Sequence, residues 1–185
     1  LATTGTLFWP VDDPASDPCR DSWSGVICQQ GKITALDLDN RQLSSIPDVG
    51  PLPYLETLDL ASNGLRSIPD FQSLPVLKSL LLPYNQLRTV PDFTHLSSLQ
   101  LLNLRGNRLS TLPDFSNLAN LQALYLYGNQ LQSIPDFSQL PELVALEVHY
   151  NELAEVPDFS HLPRLERLDL THNRLKSVPD FQHLA

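Results

Sequence analysis

The stretch that decides the fold runs from Leu121 to Glu142, LQALYLYGNQLQSIPDFSQLPE. Its pattern recurs at a strict spacing of 22 residues, in seven copies that begin at Ile33. With Leu121 counted as position 1, positions 1, 4, 6, 11, 14, 17 and 20 are apolar in every copy. A fixed period of this length predicts a solenoid, in which stacked coils bury one continuous core.

Within one copy, the spacing of apolar residues predicts a strand followed by a turn. Leu124 and Leu126 alternate with Tyr125 and Tyr127, which is the period of two that points leucines inward and tyrosines outward. Asp136 then stands where a carboxylate would cap a short helical turn. Because 22 residues leave room only for a short 3₁₀-like segment opposite the strand, we predict an α/β solenoid that is mostly β, with seven parallel strands on its concave side.

An asparagine follows the inward leucines in six of the seven copies. Its side-chain amide is expected to bond backbone groups that the turn leaves unpaired, which builds a ladder between coils. The ladder residues are Asn63, Asn85, Asn107, Asn129, Asn151 and Asn173. The first copy departs from the pattern with Arg41, and Pro83 in the third copy is expected to remove a backbone donor and disturb pairing locally.

The repeat L-x-x-L-x-L-x-x-N-x-L resembles the leucine-rich repeat family. The preceding run, DPCRDSWSGVICQQGKITALDL from Asp17, resembles the N-terminal cap of plant-type extracellular members, with Cys19, Trp23 and Cys28 at its landmarks. This resemblance implies a cap over residues 1–32. The repeats are then 33–54, 55–76, 77–98, 99–120, 121–142, 143–164 and 165–185.

Cys19 and Cys28 are the only cysteines in the chain. We favour a disulfide between them, which would place the protein in an oxidising compartment outside the cytosol. The alternative is a pair of free buried thiols in a reducing compartment. A zinc site is disfavoured, because no histidine lies nearby to complete four ligands.

The formal net charge is −9, and the repeat aspartates contribute seven of the negative charges. They are Asp48, Asp70, Asp92, Asp114, Asp136, Asp158 and Asp180. This acidity argues against nucleic acid or an anionic membrane as a partner, and no apolar run is long enough to enter a bilayer. Capping of the turns explains the repeated aspartates, so no calcium site is needed to account for them. His95, His161 and His183 share one repeat position, and we expect their side chains to be exposed at the surface. We therefore predict no cofactor and no metal.

The outward-facing strand positions of the middle coils do not contribute to the core, and they carry most of the tyrosines. Tyrosine and arginine on a rigid surface are typical anchors of protein interfaces. The predicted partner-binding residues are Leu81, Pro83, Tyr84, Asn103, Arg105, Tyr125, Tyr127, Glu147, His149 and Tyr150. Together with the family resemblance, they predict a secreted or cell-surface module, a receptor ectodomain or a secreted binder, that holds a protein or peptide on its concave face.

Several other functions are compatible with these residues. An intracellular scaffold or enzyme regulator is the leading alternative, followed by a sugar-binding module that uses the tyrosines with Asn103 and Glu147, and by a scaffold without a ligand. Glu147, His149 and Arg105 together suggest acid–base chemistry. An open sheet does not exclude water, however, and no nucleophile is positioned there, so we predict no enzymatic activity.

The last repeat is followed by no recognisable cap. Leu165, Leu168 and Leu170 would face an uncovered end of the solenoid. We therefore expect that the chain continues beyond Ala185 or that another surface packs against this end.

Overall fold

A computed structural model describes residues 15–47 and 49–178. They form one eight-stranded sheet in which strand order follows chain order. The strands are β1 (Val26–Gln29), β2 (Lys32–Asp37), β3 (Thr57–Asp59), β4 (Ser79–Leu81), β5 (Leu101–Asn103), β6 (Ala123–Tyr125), β7 (Ala145–Glu147) and β8 (Arg167–Asp169). The predicted solenoid with seven parallel strands, β2 to β8, is confirmed. In the described ranges no helix has the length and apolarity needed to cross a bilayer.

The register of the parallel strands matches the sequence period without exception. Leu36 of β2 pairs with Leu58 of β3, and Leu124 of β6 pairs with Leu146 of β7. Side chains 22 residues apart therefore lie directly over one another. Each repeat position becomes a column that runs along the sheet.

The core consists of columns of leucine and phenylalanine. Leu124, Leu126 and Leu131 are fully buried, and each such side chain stabilises the fold by about 2 kcal/mol. The ring of Phe115 stacks between those of Phe93 and Phe137, at centroid distances of 6.2 and 6.4 Å. These three residues have φ values of 53° to 55°. This left-handed backbone is unfavourable for a bulky residue, so burial of the ring offsets a local conformational cost.

The ladder asparagines join the backbones of adjacent coils. Oδ1 of Asn129 accepts the N–H of Leu109 in the coil before it, at 3.0 Å. Nδ2 of Asn129 donates to the carbonyls of Leu104 and Leu126, at 3.0 and 2.8 Å. The Leu104 carbonyl also accepts from Asn107. The Leu104 carbonyl therefore receives two amide donors, one from its own coil and one from the next.

The segment opposite the strands contains isolated turns. The N–H of Leu96 donates to the carbonyl of Phe93, and the N–H of Leu99 donates to that of Leu96, both at 2.9 Å. These bonds have 3₁₀ spacing, but within the described residues they do not extend into a 3₁₀ helix. Four of the repeat aspartates, Asp92, Asp114, Asp136 and Asp158, fix the entry to these turns. Oδ1 of Asp136, for example, accepts the N–H of Ser138 at 2.9 Å. That bond lowers the pKa of Asp136.

The first strand differs from the other seven because it runs antiparallel to its neighbour. β1 pairs with β2 through a register shift between Ile27 and Cys28. Cys28 forms a disulfide with Cys19, and the indole N–H of Trp23 donates to Ser16 Oγ at 3.1 Å. The earlier tryptophan, Trp9, lies outside the described residues.

The prediction that Pro83 disturbs strand pairing is wrong. β4 keeps the same register as its neighbours, with Leu81 opposite Asn103. The bonds from this strand to the next coil come from the N–H groups on either side of Pro83: Leu82 N–H donates to the Asn103 carbonyl and Tyr84 N–H to the Arg105 carbonyl, both at 2.9 Å. The missing N–H of Pro83 therefore removes no bond of the sheet.

At the other end of the sheet, Leu165 is buried, whereas Leu168 and Leu170 are half-buried. Residues beyond 178 lie outside the described part of the chain, and His183 is among them. Continuation of the chain, or a contact at this end, stays a prediction.

Asn107→Ala tests the ladder. The substitution leaves the N–H of Leu87 without its partner and removes one donor from the carbonyls of Leu82 and Leu104. We expect the free energy of unfolding, measured by urea denaturation, to fall by about 3 kcal/mol, because a buried group is left unsatisfied.

The matched control is Asn120→Ala. Asn120 is exposed and also bonds the preceding coil, through the Ser97 carbonyl at 2.8 Å. A loss below about 0.5 kcal/mol is expected there. Equal losses for the two variants would contradict a special role for the ladder position.

Candidate interaction surface

The outer face of the sheet is formed by repeat positions 5, 7 and 8, which point away from the leucine core. In the middle coils these positions carry Tyr84, Arg105, Tyr127, His149 and Tyr150. Tyr84 and Tyr150 are 53% and 58% exposed, whereas Arg105, Tyr127 and His149 are half-buried.

Six side chains on this face form a continuous series of contacts, which we call the aromatic ribbon: Tyr84, Arg105, Tyr127, His149, Tyr150 and His172. The Arg105 guanidinium lies 4.9 Å from the ring centroid of Tyr84 and 5.6 Å from that of Tyr127. Its Nη1 donates to the Tyr127 hydroxyl at 2.6 Å. Cation–π contact and this hydrogen bond therefore hold Arg105 between two rings.

The second half of the aromatic ribbon is made of stacked rings. The ring of His149 lies 4.3 Å from that of Tyr127 and 5.6 Å from that of Tyr150. Tyr150 then stacks on His172 at 4.2 Å. His149 Nδ1 is 3.2 Å from Asp169 Oδ2 but makes no hydrogen bond. The contact therefore becomes an attraction between charges only when the imidazole is protonated.

Position 8 has a left-handed backbone in every coil of the ribbon. Gly106 and Gly128 have φ values of 64° and 68°, and Tyr84, Tyr150 and His172 have values of 56°, 52° and 52°. Glycine adopts this conformation freely, whereas other residues lose about 1–2 kcal/mol. Tyrosine at this position therefore costs stability that glycine would not.

The two glycines leave a notch between the exposed tyrosines. A Cβ on Gly106 would lie 2.6 Å from Cδ1 of Tyr84, so the Tyr84 ring occupies the side-chain space of Gly106. A Cβ on Gly128 would meet nothing closer than 3.5 Å. The open notch at Gly128 is thus bounded by Tyr84 on one side and by Tyr150 in the next coil on the other.

Short polar residues at position 5 bond the backbone of their own strand. Oδ1 of Asn103 accepts the N–H of Arg105 at 3.2 Å, and Oδ1 of Asp59 accepts that of Ala61 at 2.9 Å. The side-chain oxygen of Asn103 therefore already accepts a hydrogen bond, and this bond helps to fix the backbone at Arg105. The role of Asn103 as a direct ligand contact stays a prediction.

The first coils of this face are acidic, and their carboxylates perturb one another. Burial is the main cause that raises the pKa of Asp59, and Asp37 adds to it. A side-chain hydrogen bond with Asp37 raises the pKa of Asp39. In contrast, bonds from Thr171 lower the pKa of Asp169 near the other end.

Models of the leucine-rich repeat match most of the chain. One matches residues 31–87 and 53–109, a two-copy model matches 97–142, and a third matches 164–184. The chain belongs to the leucine-rich repeat family. No curated protein sequence matches it.

Solved structures of leucine-rich repeat proteins resemble this chain over most of its length. The structure of a pollen receptor kinase 3 is 32% identical, with a TM-score of 0.75, and the match covers 90% of this chain and 86% of that one. Listeria monocytogenes InlP is 37% identical with a TM-score of 0.71, and the match covers 77% of this chain and 41% of InlP. A leucine-rich repeat protein of Leptospira interrogans is 33% identical with a TM-score of 0.65, over 80% of this chain and 45% of that one.

This leucine-rich repeat chain thus spans less than half of the length of the two bacterial proteins. The family and these neighbours support a protein-binding repeat module.

The predicted site residues are not equally available on the outer face of these repeats. Pro83 was expected to be accessible but is buried, because its short ring projects little beside a long neighbour such as Arg105. Glu147 Oε1 lies 3.5 Å from Arg167 Nη1. Leu81 and Tyr125 are half-buried. His172 was missed, although it occupies the same repeat position as Tyr84 and Tyr150.

Asp59→Asn tests the acidic end of the repeat sheet. The carboxamide keeps an acceptor for the N–H of Ala61, as Asn103 does for Arg105. The pKa of Asp59 is raised in the folded protein. The free energy of unfolding of the wild type therefore increases as pH falls from this raised pKa to the ordinary pKa of an aspartate, and it decreases again as pH rises. We expect the variant to be more stable by about 0.5 kcal/mol at neutral pH, with the difference vanishing near about pH 3, in urea denaturation at both pH values.

Asp169→Asn is the control at the same repeat position. The lowered pKa of Asp169 favours its charged form, so loss of the charge should destabilise the protein at neutral pH. Shifts of the same sign in the two variants would contradict this electrostatic assignment.

Proposed function

We propose that this chain is a non-catalytic recognition module that binds a protein or an extended peptide across the outer, concave face of its sheet, as part of a receptor ectodomain or a secreted binder. The contact would be centred on the aromatic ribbon. The observation that carries the proposal is the half-exposed tyrosine pair, Tyr84 and Tyr150, in a backbone conformation that favours glycine. Residues kept at such a cost are candidates for function rather than for stability.

The geometry of the pair suits an extended ligand. Tyr84 and Tyr150 are three coils apart, or about 14 Å at the usual strand spacing. About four residues of an extended peptide span that distance, and the notch at Gly128 would receive one side chain between the two rings. Large aromatic surfaces with few rotatable bonds are efficient anchors for such contacts.

Arg105 adds a charge to the proposed contact. Its guanidinium is held between two rings, and no carboxylate in the described residues forms an ion pair with it. A carboxylate of the ligand would pair with this arginine, and the flanking rings would fix the geometry of the pair. We therefore expect a ligand with an acidic side chain close to its apolar anchor residues.

An extracellular or cell-surface location is part of the proposal. It is supported by the disulfide between Cys19 and Cys28, a bond that is rare in cytosolic proteins. The similarity to a receptor kinase supports it as well. An intracellular scaffold would instead keep both thiols reduced.

A catalytic role is not supported by the groups that first suggested one. Glu147 pairs with Arg167, and His149 is stacked between Tyr127 and Tyr150. These contacts favour a structural role for both side chains, and the open face on which they lie does not exclude water from a bound substrate.

The double variant Tyr84→Ala with Tyr150→Ala tests the proposal. Extracellular or cell-surface proteins captured by the wild type would be identified and purified, and their affinity measured by calorimetry. We expect the double variant to bind at least about tenfold more weakly, because truncation of an aromatic anchor costs about 2 kcal/mol.

Tyr54→Ala is the matched control. Tyr54 is 48% exposed and lies under Lys32, away from the aromatic ribbon. It should bind like the wild type, and all variants should retain the melting temperature within a few degrees. Unchanged affinity in the double variant, or an equal loss with Tyr54→Ala, would rule the ribbon out as the contact.

A further inference from the structure

A second surface lies just beyond the ladder asparagines, at repeat positions 10 and 12. The backbone at position 10 is fixed by a regular set of bonds between coils. The N–H groups of Gln86, Arg108 and Gln130 each donate to a leucine carbonyl of the preceding coil, at 2.8, 2.9 and 2.9 Å. Side chains at this position therefore project from a rigid frame at intervals of one coil, or about 4.8 Å.

Three arginines converge on this frame. One hollow, of about 280 Å³, is lined by Arg66, Gln86, Arg88 and Arg108. The next, of about 400 Å³, is lined by Arg88, Arg108, Ser110 and Gln130. The two hollows share Arg88 and Arg108. Arg66 and the amide of Gln86 complete the first hollow, and Ser110 and Gln130 complete the second. All the lining groups can donate hydrogen bonds.

These arginines have no carboxylate partner in the parts of the chain that the structure describes. Positions 10 to 13 of the first five coils contain no aspartate or glutamate, although the protein carries a net charge of −9. The segments concerned are 42–45, 64–67, 86–89, 108–111 and 130–133. The positive charge of the cluster is therefore locally uncompensated.

The last two coils show what happens when a carboxylate is present in this column. Arg174 occupies the same repeat position as Arg108, and Glu152 precedes it by one coil. Arg174 Nη1 lies 3.1 Å from Glu152 Oε2. At Arg108 the corresponding neighbour is Gln86, which cannot neutralise a guanidinium. The counter-charge that is built into the column at Arg174 is absent at Arg108.

Guanidinium groups at intervals of one coil repel one another, as like charges on adjacent strands do. A bound anion would remove this repulsion and could accept several hydrogen bonds at once, because guanidinium offers paired donors that match oxyanion geometry. We propose that Arg66, Arg88 and Arg108 form a binding site for a tetrahedral oxyanion, a sulfate or phosphate group of a ligand. This site shares no residue with the aromatic ribbon and does not depend on the function proposed for it.

Sodium sulfate and sodium phosphate are the probes for this site. Each is titrated into isotope-labelled full-length protein at constant ionic strength, with sodium chloride as the balance, and the arginine Nε–Hε resonances are followed by NMR. We expect saturable shifts at Arg66, Arg88 and Arg108. Tighter binding of one probe would identify the sulfate ester or the phosphate ester as the favoured ligand group.

Arg88→Gln should weaken oxyanion binding about tenfold or more, because Arg88 lines both hollows and loses a charge-assisted contact. Arg88→Lys keeps the charge but loses the paired donors, and an intermediate affinity is expected. Arg174→Gln is the matched control and should leave the affinity unchanged. Linear shifts equal to those of chloride, or wild-type affinity in Arg88→Gln, would overturn the proposal.

Discussion

The bonds that each ladder asparagine makes to two coils are the constraint on which the rest of the structure depends. Asn129 accepts an N–H from the preceding coil and donates to carbonyls of both that coil and its own. A slip of one residue between coils would break these bonds and would also turn inward leucines toward solvent. The hydrogen bonds of the ladder asparagines and the burial of the leucines therefore require the same register. This explains why the register stays constant from β2 to β8.

A constant register converts repeat positions into columns, and each column has its own chemistry. Columns at positions 1, 4, 6, 11, 17 and 20 form the core, whereas those at positions 5, 7 and 8 form the outer face. The aromatic ribbon arises where members of columns 7 and 8 lie side by side, and the arginine cluster arises where members of columns 10 and 12 do. Neither needs a loop insertion or a closed pocket, so both surfaces are held by the same bonds that hold the fold.

Sequence periodicity was sufficient to predict the seven parallel strands, their pairing and the core, because each depends on a pattern repeated seven times. It did not predict the antiparallel strand β1, which lies outside the repeats. The finer features depend on single side chains. A period of two predicts that Asn103 points outward, but it does not reveal that the Asn103 side-chain oxygen bonds the N–H of Arg105. Likewise, the effect of Pro83 depended on which N–H groups bond the next coil, and apolar spacing does not specify this.

Two features could have been predicted from the sequence. His172 shares repeat position 8 with Tyr84 and Tyr150, so comparison of the last copies would have extended the ribbon by one ring. The arginine cluster is not evident from the net charge of −9. A sum over the whole chain does not show that the repeat positions around these arginines lack carboxylates. In repeat proteins, charge is therefore best counted by column.

The antiparallel strand β1 sets the direction in which this protein can grow. A further coil of the same kind would have to join β2 as a parallel partner, and β1 already takes that place. In the part of the chain that the structure describes, the other margin of β1 pairs with no strand. It is a poor template for polymerisation, because the irregularity between Ile27 and Cys28 interrupts its hydrogen-bonding groups. Duplication of repeats can therefore lengthen the sheet only downstream of β1, and the bulge disfavours pairing of another chain along its upstream margin.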